Sequence, residues 1–131
     1  MSRVWVKAVV LLGTVVLLTG CGEVAKARRT LRTVGAETLR QEALKACREG
    51  FRTGEAMKIP TEQWPESVRA FQPVSFWAEP DGAYLLIESD AAGEHGVYVP
   101  RIQSEKDPIC TAALKHEKLG GGIYWYDRKR G

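Results

Sequence analysis

The spacing of apolar residues changes once along this chain, at Pro73 and Val74, from a helical period to a period of two. That change calls for helix first and sheet second. Residues 23–49 contain no proline and are rich in Ala, Leu, Arg, Lys and Glu, which lose little on entering a helix. Gly50 stands where a left-handed glycine would end it. Leu39, Ala43, Leu44, Cys47 and Phe51 form a stripe suited to docking on a core, whereas Val24, Ala27, Leu31 and Val34 form a thinner one among Lys26, Arg28, Arg29 and Arg32. A helix over the whole stretch would be about 40 Å long, more than a small domain can cover. Residues 21–35 are therefore expected to project as a helical stalk, with Gly35 as a break point, and 36–131 to form one small domain.

Within that domain, residues 59–73 read as a connector with a short helical piece after Pro65, and Trp64, Val68 and Phe71 as core plugs. Strands are expected at 74–79 and 83–89, around the turn Pro80-Asp81-Gly82, then at 96–102, and at 123–127 after Gly120-Gly121-Gly122. Asp107-Pro108 would open a short helix over 109–118. The predicted fold class is α+β, a long N-terminal helix packed on an antiparallel meander of about four strands.

Alternation within the strands separates two sets of side chains. Val74, Phe76, Leu85, Ile87, Val97, Val99, Ile123 and Trp125 fall on the inward parity. Trp77, Tyr84, Leu86, Tyr98, Tyr124 and Tyr126 fall on the other, leaving a face rich in Tyr and Trp. Such rings offer rigid amphipathic contact area for a peptide or glycan, so Trp77, Tyr84, Tyr98, Tyr124 and Tyr126 are the candidate binding face.

The first twenty residues have a separate purpose. Arg3 and Lys7 precede an apolar run at residues 8–18, too short for the roughly 20 residues that cross a bilayer and suited to a signal peptide. Leu18-Thr19-Gly20-Cys21 follows directly and resembles the bacterial lipobox. The resemblance implies cleavage before Cys21, lipid on its thiol, and a domain held in the cell envelope facing the periplasm. Gly22 rather than Asp after that Cys implies the outer membrane over the inner. Two or three acyl chains anchor stably where one does not. Ile59-Pro60, Trp64-Pro65, Val68, Phe71-Gln72-Pro73 and Ile123-Tyr124-Trp125-Tyr126 further resemble a pattern in small uncharacterised bacterial lipoproteins, which implies no activity.

Losing residues 1–20 removes Arg3 and Lys7 and no acidic residue, so the formal charge falls from +3 to +1. A near-neutral domain lacks the basic excess of nucleic-acid binders. The expected partners are the membrane, through the lipid, and a protein or glycan. With Cys21 lipidated, Cys47 and Cys110 remain as an even pair in an oxidising compartment, which points to a disulfide. Closing 63 positions would contribute about 4 kcal/mol in the chain-entropy view. Cys47, His95, Cys110 and His116 lack the close pairs of a zinc site, so no cofactor is expected beyond the lipid on Cys21.

Catalytic motifs of the G-x-S-x-G, H-E-x-x-H, phosphate-loop and C-x-x-C kinds are missing. Asp90, Glu94 and His95 form the one acid–histidine cluster, and a small envelope hydrolase using them is the alternative to a non-enzymatic binding or structural lipoprotein. A helix followed by a meander is also similar to the pilin plan, although the lipobox replaces the prepilin cleavage pattern.

Overall fold

The computed structural model describes residues 22–104, 106–108, 111 and 113–129. Cys21 and Cys110, and with them the lipid attachment and one half of the expected disulfide, lie outside the described residues. Helices occupy residues 22–34 (α1), Ala36–Ala46 (α2), Arg48–Thr53 (α3) and Glu66–Arg69 (α4), with a single 3-10 turn at Thr61–Gln63. Strands are Met57–Lys58 (β1), Ser75–Glu79 (β2), Gly82–Ser89 (β3), Gly93–Pro100 (β4), Leu114–Gly120 (β5) and Ile123–Lys129 (β6). They form one antiparallel sheet in the order β1-β2-β3-β4-β6-β5. The class is α+β.

The sheet has six strands rather than about four. Met57–Lys58 was too short to show a period, yet it pairs with Ala78 and Trp77 at the β2 edge. Leu114–Gly120 is a strand where a helix was expected. Its Lys, Glu and Leu suit a helix in isolation, but tertiary pairing with β6 overrides propensity. Its alternation buries Leu119 against the helices and turns Leu114 and His116 towards the tyrosines.

The helical region is divided by its own sequence. Gly35 adopts φ 91° between α1 and α2, and Gly54 closes α3 in the left-handed conformation. Leu39, Ala43 and Cys47, four residues apart, are fully buried and lay α2 on the sheet. The segment expected to project as a stalk is docked as well. Ala27 and Leu31 are buried in the same core, and Arg28 donates to the Lys118 carbonyl at 2.9 Å. Among the described residues, no helix is long and apolar enough to cross a membrane.

Phe76, Ala78, Ala83, Leu85, Val97, Val99, Ile123 and Trp125 supply the sheet's side of this core. Val68 and Phe71 join them, and Trp64 packs edge-on to Phe76 while its indole N–H donates to the Ile59 carbonyl at 2.9 Å. Val74 is the exception to the inward set. It lies at the bend before β2 and is 68% exposed. The β5–β6 turn needs its glycines: Gly121 has φ 59°, and a Cβ there would meet Ala36 Cβ at 2.4 Å. Arg40 donates to the Gly121 carbonyl from α2, tying helix to turn.

Candidate functional site

The face turned away from the helices begins with a register. Trp77, Tyr84, Tyr98 and Tyr124 stand opposite one another across β2, β3, β4 and β6, and Tyr126 lies in the next row beside Gly96 and His116. Two glycines make room for the rings. A Cβ at Gly82 would come within 2.9 Å of Tyr98 Cε1, and one at Gly96 within 3.0 Å of Tyr126 Cε1. Tyr84 stacks on Tyr98 at 4.7 Å and meets Tyr126 edge-on at 5.0 Å. His116 packs 5.2 Å from Tyr98 and 6.1 Å from Tyr124.

Each ring system finds a polar partner at its rim. The Tyr84 hydroxyl donates to Asp81 Oδ2 at 2.6 Å, Tyr98 to the Asp81 carbonyl at 3.1 Å, and Tyr124 to Asp107 Oδ1 at 3.1 Å. Arg128 lies over Tyr84 at 4.7 Å and over Tyr126 at 5.7 Å. Its guanidinium donates twice to Glu79, both at 3.1 Å, a bidentate geometry that holds it in place. Burial, then the nearby Asp81, pushes the Tyr84 phenol well above its ordinary range. Burial likewise raises Tyr98 and Tyr126 and lowers His116. These groups are neutral packing elements at ordinary pH.

The five expected face residues therefore divide. Tyr84, Tyr98, Tyr124 and Tyr126 form a second core, 1–7% exposed, rather than an open platform. Trp77 remains half-buried at its edge, with its indole N–H on Ser75 Oγ at 3.0 Å. Accessibility begins there, in a cleft of about 350 Å³ lined by Ser75, Trp77, Glu79, Leu86, Glu94, Tyr126 and Arg128, with Tyr84 and Ala56 completing it. Its charged rim of Glu79, Glu94 and Arg128 escaped the aromatic pattern. The signal was present in the parity, because Glu79 and Arg128 share the tyrosines' side of β2 and β6.

The acid–histidine cluster is only partly assembled. His95 Nδ1 lies 3.3 Å from Asp127 Oδ1 and His95 Nε2 lies 3.8 Å from Asp90 Oδ2. Glu94 is on the opposite parity and lines the aromatic-side cleft instead. Asp90 Oδ1 also accepts the backbone N–H groups of Ala92 and Gly93 at 2.8 and 3.0 Å, forming the β3–β4 turn. Asp127, unforeseen in the sequence, takes Glu94's place beside His95 through strand pairing. Among the described residues, no three His, Cys, Asp or Glu side chains are grouped as metal ligands.

Cys47 is fully buried, without a disulfide partner among the described residues. Its Sγ lies 3.9 Å from the Trp77 carbonyl, and burial pushes the thiol up to about 12. No protein-family model matches the chain, and no curated protein or solved structure matches it either.

Proposed function

We propose that this chain is a lipid-anchored protein of the bacterial cell envelope that binds a protein or glycan partner, without catalysis, through the cleft beside Trp77. The observation that carries the reading is the cleft itself, where half-buried aromatic surface meets the carboxylates of Glu79 and Glu94 and the Arg128 guanidinium. Recognition sites of this kind pair apolar contact with a few fixed polar groups. Arg128 is already oriented by Glu79 and the two tyrosines, so little side-chain freedom is lost on binding.

The anchor is supported by Arg3, Lys7, the apolar run at 8–18 and Leu18-Thr19-Gly20-Cys21. It places the domain at a membrane surface facing the periplasm, with the outer membrane favoured by Gly22. A Cys47–Cys110 disulfide belongs to the same proposal and is read by the loss of two hydrogens in non-reducing mass spectrometry.

A photo-crosslinking residue at Ala56, at the edge of the cleft, tests the binding reading in intact cells. The expected result is a discrete adduct that Trp77→Ala abolishes while circular dichroism stays unchanged. No adduct, or one indifferent to Trp77→Ala, removes the cleft as a binding site. Metabolic labelling with palmitate, lost in Cys21→Ser, tests the anchor separately.

A further inference from the structure

A second concavity lies on the helical side of the molecule. Leu44 on α2 and Arg48, Phe51 and Arg52 on α3 share one side through spacings of three and four residues, and Arg101 reaches them from beyond the end of β4. Together they line an open dish of about 370 Å³. The platform is firmly seated, because α3 lies so close to the sheet that a Cβ on Gly50 would meet Ala78 Cβ at 2.5 Å. The backbone N–H of Arg101 is held by the Asp81 carbonyl at 2.9 Å, and its guanidinium carbon lies 4.8 Å over the Phe51 ring.

Charge there is unbalanced. Arg52 is paired with Glu49. Among the described residues no carboxylate forms an ion pair with Arg48 or Arg101. Three guanidinium groups thus share one carboxylate above an apolar floor of Leu44 and Phe51. Clustered like charges make a local positive potential that an anion relieves. Stacking on Phe51 uses the face of the Arg101 guanidinium and leaves its in-plane N–H donors, whose fork matches phosphate oxygens.

We propose that this dish binds a phosphate ester carried on an apolar or aromatic body, the phosphate on Arg48 and Arg101 and the body on Phe51 and Leu44. The site is separate from the Trp77 cleft, and it stands whether or not Cys21 is lipidated.

The test is heteronuclear NMR of the arginine side-chain N–H groups and the Phe51 ring in the full chain. The probes are naphthyl phosphate, inorganic phosphate, naphthol and, in a second arm, bicelles containing phosphatidylglycerol. Saturable shifts at Arg48, Arg101 and Phe51 with naphthyl phosphate are expected. Inorganic phosphate and naphthol should each bind more weakly. Arg48→Gln with Arg101→Gln should weaken naphthyl phosphate about tenfold or more, and added salt should weaken it too. Both arginines are exposed, and unchanged tyrosine resonances report an intact fold in the variant. Shifts with bicelles and not with naphthyl phosphate would assign the phosphate to a lipid headgroup, and the reverse to a soluble ester. No saturable shift with either, or an affinity indifferent to the double substitution, would overturn the site and leave a solvated basic surface.

Discussion

The two faces of the sheet are both buried, but by different means. The helical face is sealed by shape: Leu39, Ala43, Val68 and Phe71 press on Phe76, Leu85, Val97 and Trp125, and few polar atoms are involved. Among the described residues no helix covers the other face. Its four tyrosines bury one another, Tyr98 and Tyr126 lean over Gly82 and Gly96, and the Tyr84, Tyr98 and Tyr124 hydroxyls are tethered to the Asp81 carboxylate, the Asp81 carbonyl and Asp107. An apolar face loses stability mainly through cavities. A face closed by hydrogen-bonded rings loses it through stranded polar partners, and it can open at its rim without disturbing the other side.

The largest expected effect lies on the helical face. Leu85→Ala, at a fully buried position, should cost about 2–5 kcal/mol, read from urea unfolding with an unchanged denaturant slope. Tyr84→Phe keeps the ring and removes the hydroxyl that bonds Asp81, so its cost should be about 1–2 kcal/mol. A loss as large as that of Leu85→Ala would break the contrast between the faces. Glu79→Gln should cost on the order of 1 kcal/mol, because the Glu79–Arg128 pair is half-exposed. Salt should shrink that difference, and a salt-independent loss would place the pair deeper in the second core.

The smallest effect concerns pH. Burial lowers the folded-state pKa of His116 beneath the ordinary histidine value, with Arg128 adding to the shift and Asp81 opposing it. As pH falls through that ordinary value the unfolded chain takes up the proton first. Stability from this residue is therefore complete above the ordinary histidine range. It declines as pH falls from there towards the lowered folded value. His116→Gln should flatten this part of the decline in urea midpoints between about pH 7.5 and 5.5. A decline of the same depth in the variant would assign it to other groups.

The division into two faces was legible in the sequence because β2, β3, β4 and β6 keep strict alternation and set Phe76, Leu85, Val97 and Trp125 against the tyrosines. Strand β5 was illegible because Lys115, Glu117 and Lys118 have helix-forming chemistry, and their strand state depends on a partner six to twelve residues away in sequence. Burial of the tyrosines could not be read either. It comes from ring stacking across four strands and from two glycines on the paired strands β3 and β4, Gly82 and Gly96, whose value is the space they leave. The docking of α1 followed from Ala27 and Leu31, which as a thin stripe looked insufficient until the sheet reached far enough to meet them.

Strand β6 has a temporal consequence. It is made after the other five strands, yet it sits between β4 and β5 and contributes Trp125 to one face and Tyr124 and Tyr126 to the other. A nascent chain lacking it has no neighbour for β5 and leaves the inner edge of β4 open. Neither face can close until residues 123–129 arrive. Folding therefore waits on β6, and a chain emerging N-terminus first stays open along β4 until that strand follows.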